Sequence, residues 1–170
     1  MSTDVRETAA RATRAGLIVI PPREDGTKAP EGSWAHWRES PPSVNQLRAW
    51  YSNGRSGVGI ATDKAHCLDF DDADVYQVFR DTAEASGLSD LMERIEAGYH
   101  ELTPADGHHW LFYCETPVPT AKLASRPTPT EDEPKKTKTL IEVKGIGGYA
   151  VLAPSQGRVH RSGRAYRLAT

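Results

Sequence analysis

This chain has few cysteines, no long apolar run and a small net charge. Its 170 residues include two cysteines, Cys67 and Cys114, and neither has the neighbours of a zinc ligand set. We therefore expect reduced thiols, no zinc and a cytoplasmic location, because disulfide frameworks need more cysteines and an oxidising compartment. No apolar stretch approaches the ~20 residues of a membrane span. The first residues also lack the basic-then-apolar pattern of a signal peptide.

The net charge is −2, so the chain as a whole lacks the basic excess typical of nucleic-acid-binding proteins. Its basic residues are nevertheless clustered in two places. The clusters comprise Arg158, Arg161, Arg164 and Arg167 near the end of the sequence, and Lys135, Lys136 and Lys138 before them. Each cluster is typical either of a phosphate-binding surface or of a solvated face, and the sequence leaves both interpretations open.

Hydrophobic spacing and turn residues predict a mixture of helices and strands. Helices are predicted over 3–16, 43–51, 75–85 and 88–97, with Ser43 and either Asp72 or Asp74 as caps. Strands are predicted over 17–20, 57–61, 99–102, 108–114, 140–144 and 149–153, in a strand that carries Asp69, and in a final hairpin to Leu168. Helices and strands do not alternate strictly, so we expect one α+β domain. Residues 115–139 are rich in Pro, Thr and Lys and predict a flexible loop.

Two acids separated by one aromatic residue, Asp69-Phe70-Asp71, close a short apolar run. Side chains two residues apart on a strand point to the same face. Asp69 and Asp71 are therefore expected to project together, while Leu68 and Phe70 enter the core. Two adjacent carboxylates repel each other unless a cation lies between them, which favours a divalent-metal site for phosphoryl chemistry. The alternative is a strand that ends in a polar turn, where Asp is common.

Two further strands carry candidate residues. His109 follows a turn that contains Gly107; a lone strand histidine is usually structural, but this turn opens the backbone to an approaching phosphate. Glu142 is an acid within an apolar strand, which is costly to bury without a partner. Lys144 shares its face, so a simple ion pair and a metal ligand beside a phosphate-binding lysine both remain open. The amides of the glycine-rich turn at 145–148 are candidates for phosphate contact.

Other metal and nucleotide motifs fit the sequence poorly. The segment 69–74 begins like a calcium loop, but it lacks glycine at the sixth position, and Arg80 replaces the bidentate glutamate. We find neither a P-loop nor a nucleophile elbow. The adjacent His108 and His109 point to opposite strand faces, which argues against a two-histidine metal site.

Together these segments resemble the bifunctional primase–polymerase (Prim-Pol) domain of the archaeo-eukaryotic primase superfamily, found in phage and plasmid replication proteins. Three motifs carry the resemblance: Leu68-Asp69-Phe70-Asp71, then Thr103-Pro104 with Gly107-His108-His109-Trp110-Leu111-Phe112, then Ile141-Glu142-Val143-Lys144-Gly145 with Gly147-Gly148-Tyr149 and Pro154-Ser155. The amino-terminal helix and Lys28-Ala29-Pro30 also match, so the resemblance covers most of the chain. Two positions depart from the family pattern: Gly107 stands where serine is frequent, and Glu142 where aspartate is usual.

The resemblance implies template-directed nucleotidyl transfer, as a DNA primase or DNA polymerase in phage or plasmid replication. The implied catalytic residues are Asp69, Asp71, His109 and Glu142. The three acids would hold two Mg²⁺ or Mn²⁺ ions and no zinc. Implied nucleotide contacts are His109, Lys144, Gly107 and Ser155, and the candidate DNA contacts are Lys135, Lys136, Lys138, Arg158, Arg161 and Arg164.

The implied fold is an RRM-like catalytic sheet with helices, over 63–170, packed on an amino-terminal α/β layer over 1–62. We expect the domain to be the amino-terminal part of a longer replication protein. Its implied partners are a DNA template and primer, dNTP or NTP substrates and a helicase, in the host cytoplasm if phage-encoded. Two alternatives remain: a catalytically silent DNA-binding module for replication initiation, and a rolling-circle nicking endonuclease with paired metal-binding histidines and a tyrosine nucleophile.

Overall fold

The structure is a computed structural model that describes residues 4–169. Its helices are α1 (Val5–Arg14), α2 (Val44–Tyr51), α3 (Ala73–Ala85) and α4 (Ser89–Glu96), with a 3₁₀ turn at Ala35–Arg38. Its strands are β1 (Ile18–Val19), β2 (Val58–Ala61), β3 (His66–Phe70), β4 (Tyr99–Leu102), β5 (His108–Phe112), β6 (Ala121–Pro127), β7 (Thr137–Lys144), β8 (Tyr149–Leu152) and β9 (Arg167–Leu168). In this range no helix is both long and apolar enough to cross a membrane.

Side-chain caps determine where three of the helices begin. The carboxylate of Asp4, the hydroxyl of Ser43 and the carboxylate of Asp72 each accept a hydrogen bond from a backbone N–H in the first turn of α1, α2 and α3. These bonds satisfy donors that have no partner inside a helix. The caps predicted at Ser43 and Asp72 are thus confirmed. The first helix was predicted from Thr3, which lies outside the described residues, and its observed start is Val5.

The strands form two antiparallel sheets. One has three strands in the order β1-β2-β8, and the other has six in the order β6-β7-β3-β5-β4-β9. Helices and antiparallel sheets without strict alternation confirm the predicted α+β class. Strand β8 follows the six-stranded sheet's β7 in the chain but completes the smaller sheet by pairing with β2. The division into parts 1–62 and 63–170 stays a prediction.

The six-stranded sheet is covered on both faces. One face packs on α3 and α4, and its buried side chains include Leu68, Phe70 and Trp110. The opposite face packs at Cys67 against the smaller sheet and α1. Because side chains alternate along a strand, β3 directs Leu68 and Phe70 toward the helices and directs Cys67 and Asp69 toward the other face. The core positions predicted for Leu68 and Phe70 are confirmed by their burial, and both cysteines are free, as predicted.

Residues 115–139, predicted as a flexible loop, contain regular structure, and that prediction is wrong. β6 pairs with β7 along its length, from Ala121 opposite Val143 to Pro127 opposite Thr137. β3 pairs with β7 only over 141–144. The last part of β6 and the first half of β7 therefore form a two-stranded ribbon that extends past the sheet. The side chains of β6 are largely exposed, so this strand lacks the apolar alternation on which a sequence prediction depends.

The predicted final hairpin is also wrong in its pairing. β9 pairs with β4, with Leu168 opposite Glu101, and closes one edge of the six-stranded sheet. The loop between β8 and β9 is held by a backbone bridge from His160 to Thr27. These partners are distant in sequence, so local turn signals do not reveal them. The other predicted helices and strands are present, with small differences at their ends.

Phe70 carries much of the packing between the sheet and its helices. It is fully buried, and its ring lies about 5 Å from the rings of Tyr76, Phe79 and Trp110. We predict that Phe70→Ala lowers the free energy of unfolding by about 3–5 kcal/mol, through lost burial and the cavity left behind. Urea denaturation followed by circular dichroism measures this loss.

The matched control is Val78→Ala on α3, because Val78 is 65% exposed. This control is expected to change the free energy of unfolding by less than about 0.5 kcal/mol. A similar small change for Phe70→Ala contradicts the proposed packing.

Candidate active site

Three of the predicted site residues lie in one row across the six-stranded sheet. Asp69 on β3 is directly opposite His109 on β5 and Glu142 on β7. Glu101 on β4 extends the row, since it is directly opposite His109. Directly opposite residues of antiparallel strands project from the same face. The row Glu142–Asp69–His109–Glu101 therefore places four ionisable side chains side by side.

His109 lies between two carboxylates. Its Nδ1 is 2.7 Å from Oε1 of Glu101, and its Nε2 is 3.3 Å from Oδ1 of Asp69. Both ring nitrogens face acceptors, which is the arrangement of a doubly protonated imidazolium. Burial lowers the pKa of His109, but the Cys67 side chain and the Asp69 carboxylate outweigh burial and raise this pKa well above its ordinary value. His109 is therefore a buried cation with an N–H directed at Asp69.

Glu101 is a site residue that the sequence analysis missed. Its side chain is fully buried and accepts three hydrogen bonds. Besides His109, the donors are the Tyr99 hydroxyl at 2.7 Å and the Ala153 N–H at 2.6 Å. These donors satisfy a carboxylate that is otherwise costly to bury, and the carboxylate fixes the orientation of the His109 ring. Glu101 lies within a predicted strand, but its place beside His109 follows only from the pairing of β4 with β5.

Lys144 lies between two acids of the row. Its Nζ is 3.0 Å from Oδ2 of Asp69 and also contacts Oε2 of Glu142, so the predicted Glu142–Lys144 ion pair is present. Burial lowers the pKa of Lys144, but the two carboxylates outweigh it and raise the pKa above its ordinary range. Burial likewise raises the pKa of Asp69, while His109 and Lys144 bring it well below its ordinary range. Asp69 is therefore a carboxylate held between two cations.

Asp71 lies apart from the row, one residue beyond the end of β3. Its carboxylate contacts Lys138 of β7, whereas Asp69 and Glu142 converge on Lys144. Over residues 4–169, no group of three or more His, Cys, Asp or Glu side chains is arranged to hold a metal ion. Two carboxylates directed at one ammonium nevertheless form an oxygen donor set that suits a divalent cation. Asp71 does not share this convergence, because its carboxylate contacts Lys138.

A pocket of about 180 Å³ opens beside the row. Its lining includes Lys28, Asp69, His109, Lys144, Tyr149 and Tyr166. The Tyr149 hydroxyl donates to the carbonyl of Ile20 at 3.0 Å, and the Tyr166 ring is tilted on His109 with centroids 5.9 Å apart. The pocket thus has aromatic walls and is lined by three cationic residues and one carboxylate, so an excess of positive charge favours a small anionic group such as phosphate.

Two predicted nucleotide contacts have structural roles in this fold. The buried Ser155 hydroxyl accepts from the N–H of Val58 at 2.8 Å and donates to its carbonyl at 3.0 Å. Gly107 lies against the end of β3, where an added Cβ would be 2.1 Å from the Phe70 carbonyl oxygen. A serine therefore cannot fit at this position without a backbone shift. Neither Gly107 nor Ser155 is brought to the pocket.

The glycine-rich turn at 145–148 is held by its own hydrogen bonds. Its four amides donate, in chain order, to the Thr120 hydroxyl, the Val118 carbonyl, the Asp63 carboxylate and the Gly145 carbonyl. The donors predicted for phosphate contact are thus already used within the protein. The turn has a structural role in this conformation.

The basic clusters predicted for DNA contact lie on exposed segments. Lys135, Lys136 and Lys138 are at the start of β7 and in the turn before it, where Lys136 contacts Glu133. Arg158 and Arg161 are exposed in the loop after β8. Arg164 forms an ion pair with Asp106, so part of its charge is already compensated.

His108 lies on the face opposite His109. Its ring stacks on Tyr76 with centroids 3.7 Å apart, and its Nδ1 is 2.7 Å from Nε2 of His100. Burial and the neighbouring His100 lower the pKa of His108 to about 4, so it is neutral at physiological pH. The predicted separation of the two adjacent histidines onto opposite faces is confirmed.

Comparison with protein families gives one match that covers nearly the whole chain. The model of the family described as bifunctional DNA primase/polymerase, N-terminal (Prim-Pol), matches residues 9–170. A search of curated proteins finds no match.

The contact between Glu101 and His109 generates a prediction for the charge of the site. We predict that Glu101→Gln lowers the pKa of His109 by at least about one pH unit, because an adjacent anion no longer favours the imidazolium. It also lowers the free energy of unfolding by about 1–3 kcal/mol, since three buried donors lose a charged acceptor. Nitrogen-15 NMR titration of the His109 ring measures the first effect, and urea denaturation measures the second.

Glu84→Gln, at an exposed position of α3, is the matched control and leaves both quantities unchanged. An unchanged His109 pKa in Glu101→Gln contradicts the assigned contact.

Proposed function

Since the chain belongs to the bifunctional DNA primase/polymerase (Prim-Pol) family, we propose that it catalyses template-directed nucleotidyl transfer. In this reaction a primer 3′-hydroxyl attacks the α-phosphorus of a nucleoside triphosphate, and pyrophosphate leaves. The observation that carries the proposal is the row of Glu142, Asp69 and His109, with Lys144 between the two acids, beside a pocket suited to phosphate. Family membership supports DNA primase/polymerase activity in general, and the role of each residue is our proposal.

We propose that the six-stranded sheet is the RRM-like catalytic sheet. Its central strands have the order β7-β3-β5-β4, and the helices α3 and α4 follow β3 in the chain. This order supports a ferredoxin-like β-α-β-β-α-β unit. The second helix of such a unit is replaced here by β6 of the ribbon.

Asp69 and Glu142 are the residues that would hold a divalent metal, with Asp71 as a proposed third ligand. Two Mg²⁺ or Mn²⁺ ions, when bound, activate the 3′-hydroxyl and neutralise the triphosphate. The support from the structure is the convergence of the Asp69 and Glu142 oxygens on one ammonium group. The Asp71 carboxylate does not take part in this convergence, because it contacts Lys138.

The chain's own cations orient the substrate in this proposal. The N–H at Nε2 of His109, which lies 3.3 Å from Asp69 in the absence of substrate, is shared in this proposal with an oxygen of the incoming triphosphate, and the Lys144 ammonium neutralises charge beside it. Glu101 holds the His109 ring in place before the substrate arrives. Hydrogen-bond donors that are already oriented stabilise developing charge without a cost in reorganisation energy during the reaction.

The exposed basic segments are proposed as DNA contacts. Lys135, Lys136 and Lys138 lie on the ribbon that extends from the active-site sheet, and Arg158, Arg161 and Arg164 lie on the loop after β8. Phosphates of template and primer are their proposed partners. The proposed substrates are dNTPs or NTPs, and the proposed partner is a helicase of the same replication system. The proposed location is the cytoplasm of a host cell that carries a phage or plasmid. These three proposals rest on the family resemblance.

Replacement of single acids tests the enzymatic proposal. We predict that Asp69→Asn lowers primer extension by at least about a hundredfold, because the variant keeps the side-chain volume and loses the charge that binds metal. Asp71→Asn and Glu142→Gln are expected to have the same effect. Incorporation of a labelled dNTP on a primed template, with Mg²⁺ or Mn²⁺, measures activity, and thermal melting shows that each variant is folded at the assay temperature.

Asp81→Asn on the exposed surface of α3 is the control and retains full activity. Wild-type protein that extends no primer with either metal contradicts the proposal and favours the catalytically silent DNA-binding module. A covalent protein–DNA adduct would instead support a nicking endonuclease.

The salt dependence of DNA binding tests the ribbon. We predict that combined replacement of Lys135, Lys136 and Lys138 by alanine lowers the slope of log affinity against log salt concentration by about 2–3, because each phosphate contact contributes about 0.7–0.9. Fluorescence anisotropy of a labelled primer–template measures the slope. Lys64→Ala is the control, since this exposed residue precedes β3 and lies at the end of the strand away from Asp69. An unchanged slope in the triple variant contradicts the proposed contact.

A further inference from the structure

Lys28 is the third cationic residue that lines the pocket beside His109 and Lys144. The sequence assigns it no role beyond its place in a matching segment. Unlike Lys144, Lys28 has no ion-pair partner among residues 4–169. We propose that Lys28 binds the phosphates of the incoming nucleoside triphosphate. This proposal rests on the proposed function and adds a binding residue to it.

The backbone of Lys28 is held in an unfavourable conformation. Its φ of 63° lies in the left-handed region, where the backbone of residues other than Gly, Asn and Asp is strained. The other non-glycine residue with positive φ among the described residues is Asp106, a type that tolerates this region. A strained lysine persists only where its surroundings hold it.

Those surroundings are two loops that are fastened together. Within the loop that carries Lys28, the N–H of Arg23 donates to the carbonyl of Ala29 at 2.8 Å. The N–H of Gly26 donates to the carbonyl of Arg158 at 2.7 Å, and Thr27 forms a backbone bridge with His160. The loop after β8 thus anchors the residues directly before Lys28 and fixes its position at the pocket.

The acids of the same loop are engaged elsewhere. The carboxylate of Glu24 accepts from the N–H of Ser56 at 2.7 Å, and that of Asp25 accepts from the N–H of Thr27 at 3.0 Å. Neither carboxylate contacts Lys28. The local surface is instead basic, since exposed Arg158 and Arg161 lie on the anchoring loop.

The ligand is a phosphate group, and both a nucleotide and the DNA backbone carry phosphates. The nucleotide is favoured by position. Lys28 shares one pocket of about 180 Å³ with His109 and Lys144, whereas the lysines of the ribbon lie outside that pocket on an extended surface. A triphosphate carries several negative charges on adjacent phosphorus atoms, so three cations around one small pocket match it better than they match a single phosphodiester.

Direct binding measurements test the role of Lys28. We predict that Lys28→Ala weakens binding of dATP with Mg²⁺, measured by isothermal titration calorimetry, by about tenfold, because a charge-assisted hydrogen bond is lost. Lys28→Gly is expected to weaken binding equally while relieving the backbone strain, so it remains folded even if the alanine variant does not. Lys28→Arg keeps the charge and retains most of the affinity.

The matched control is Arg23→Ala, which removes an exposed cation from the same loop and leaves dATP binding unchanged. Affinity for a labelled primer–template, measured by anisotropy, is expected to be unchanged in the Lys28 variants. Unchanged dATP affinity in Lys28→Ala and Lys28→Gly overturns the inference. Loss of DNA affinity with normal dATP affinity also overturns it and assigns Lys28 to the DNA backbone.

The same measurements separate this inference from the proposed function. If the wild-type protein and the Lys28 variants all bind dATP and extend primers equally, only the role of Lys28 is refuted. Wild-type protein that neither binds dATP nor extends primers refutes both.

Discussion

The pairing of each charge of the row Glu142–Asp69–His109–Glu101 with an opposite charge is the constraint on which the site depends. His109 lies between Glu101 and Asp69, and Lys144, which lies beside the row, contacts both Asp69 and Glu142, so that each buried or half-buried charge has an opposite charge next to it. A buried charge without a partner is strongly destabilising, so no member of the row can be removed without consequences for its neighbours. The fold supports this row with two layers, since helices cover one face of the sheet and the smaller sheet covers part of the other.

Lysine contacts neutralise the carboxylates that are proposed as metal ligands. Lys144 neutralises Asp69 and Glu142, and Lys138 neutralises Asp71. Binding a divalent ion at these carboxylates would release both ammonium groups, and the triphosphate that accompanies the ion offers new partners for them. In this account the lysines exchange carboxylate for phosphate, so the total charge of the site stays nearly balanced at each stage.

Sequence analysis could predict which candidate residues share a face of the sheet where their position depends on strand alternation. Asp69, His109 and Glu142 are each in the middle or near the end of a strand, and the register of three strands aligns them. Asp71 differs because β3 ends at Phe70, and alternation no longer fixes a side chain beyond the last strand residue. Glu101 could not be placed because its partners include a backbone amide of residue 153, which only the tertiary structure brings near. The ribbon was missed because exposed strands carry no apolar pattern, and β9 was misassigned because its partner, β4, is distant in sequence.

The central claim is that Asp69 and Glu142 bind the metal ions of a nucleotidyl-transfer site. Anomalous diffraction from crystals containing Mn²⁺ and a non-hydrolysable deoxynucleoside triphosphate tests this claim most directly. The account predicts manganese peaks at the carboxylates of Asp69 and Glu142, with the triphosphate beside His109 and Lys144. Manganese and nucleotide bound elsewhere, with the Lys144 ion pairs intact, would contradict it.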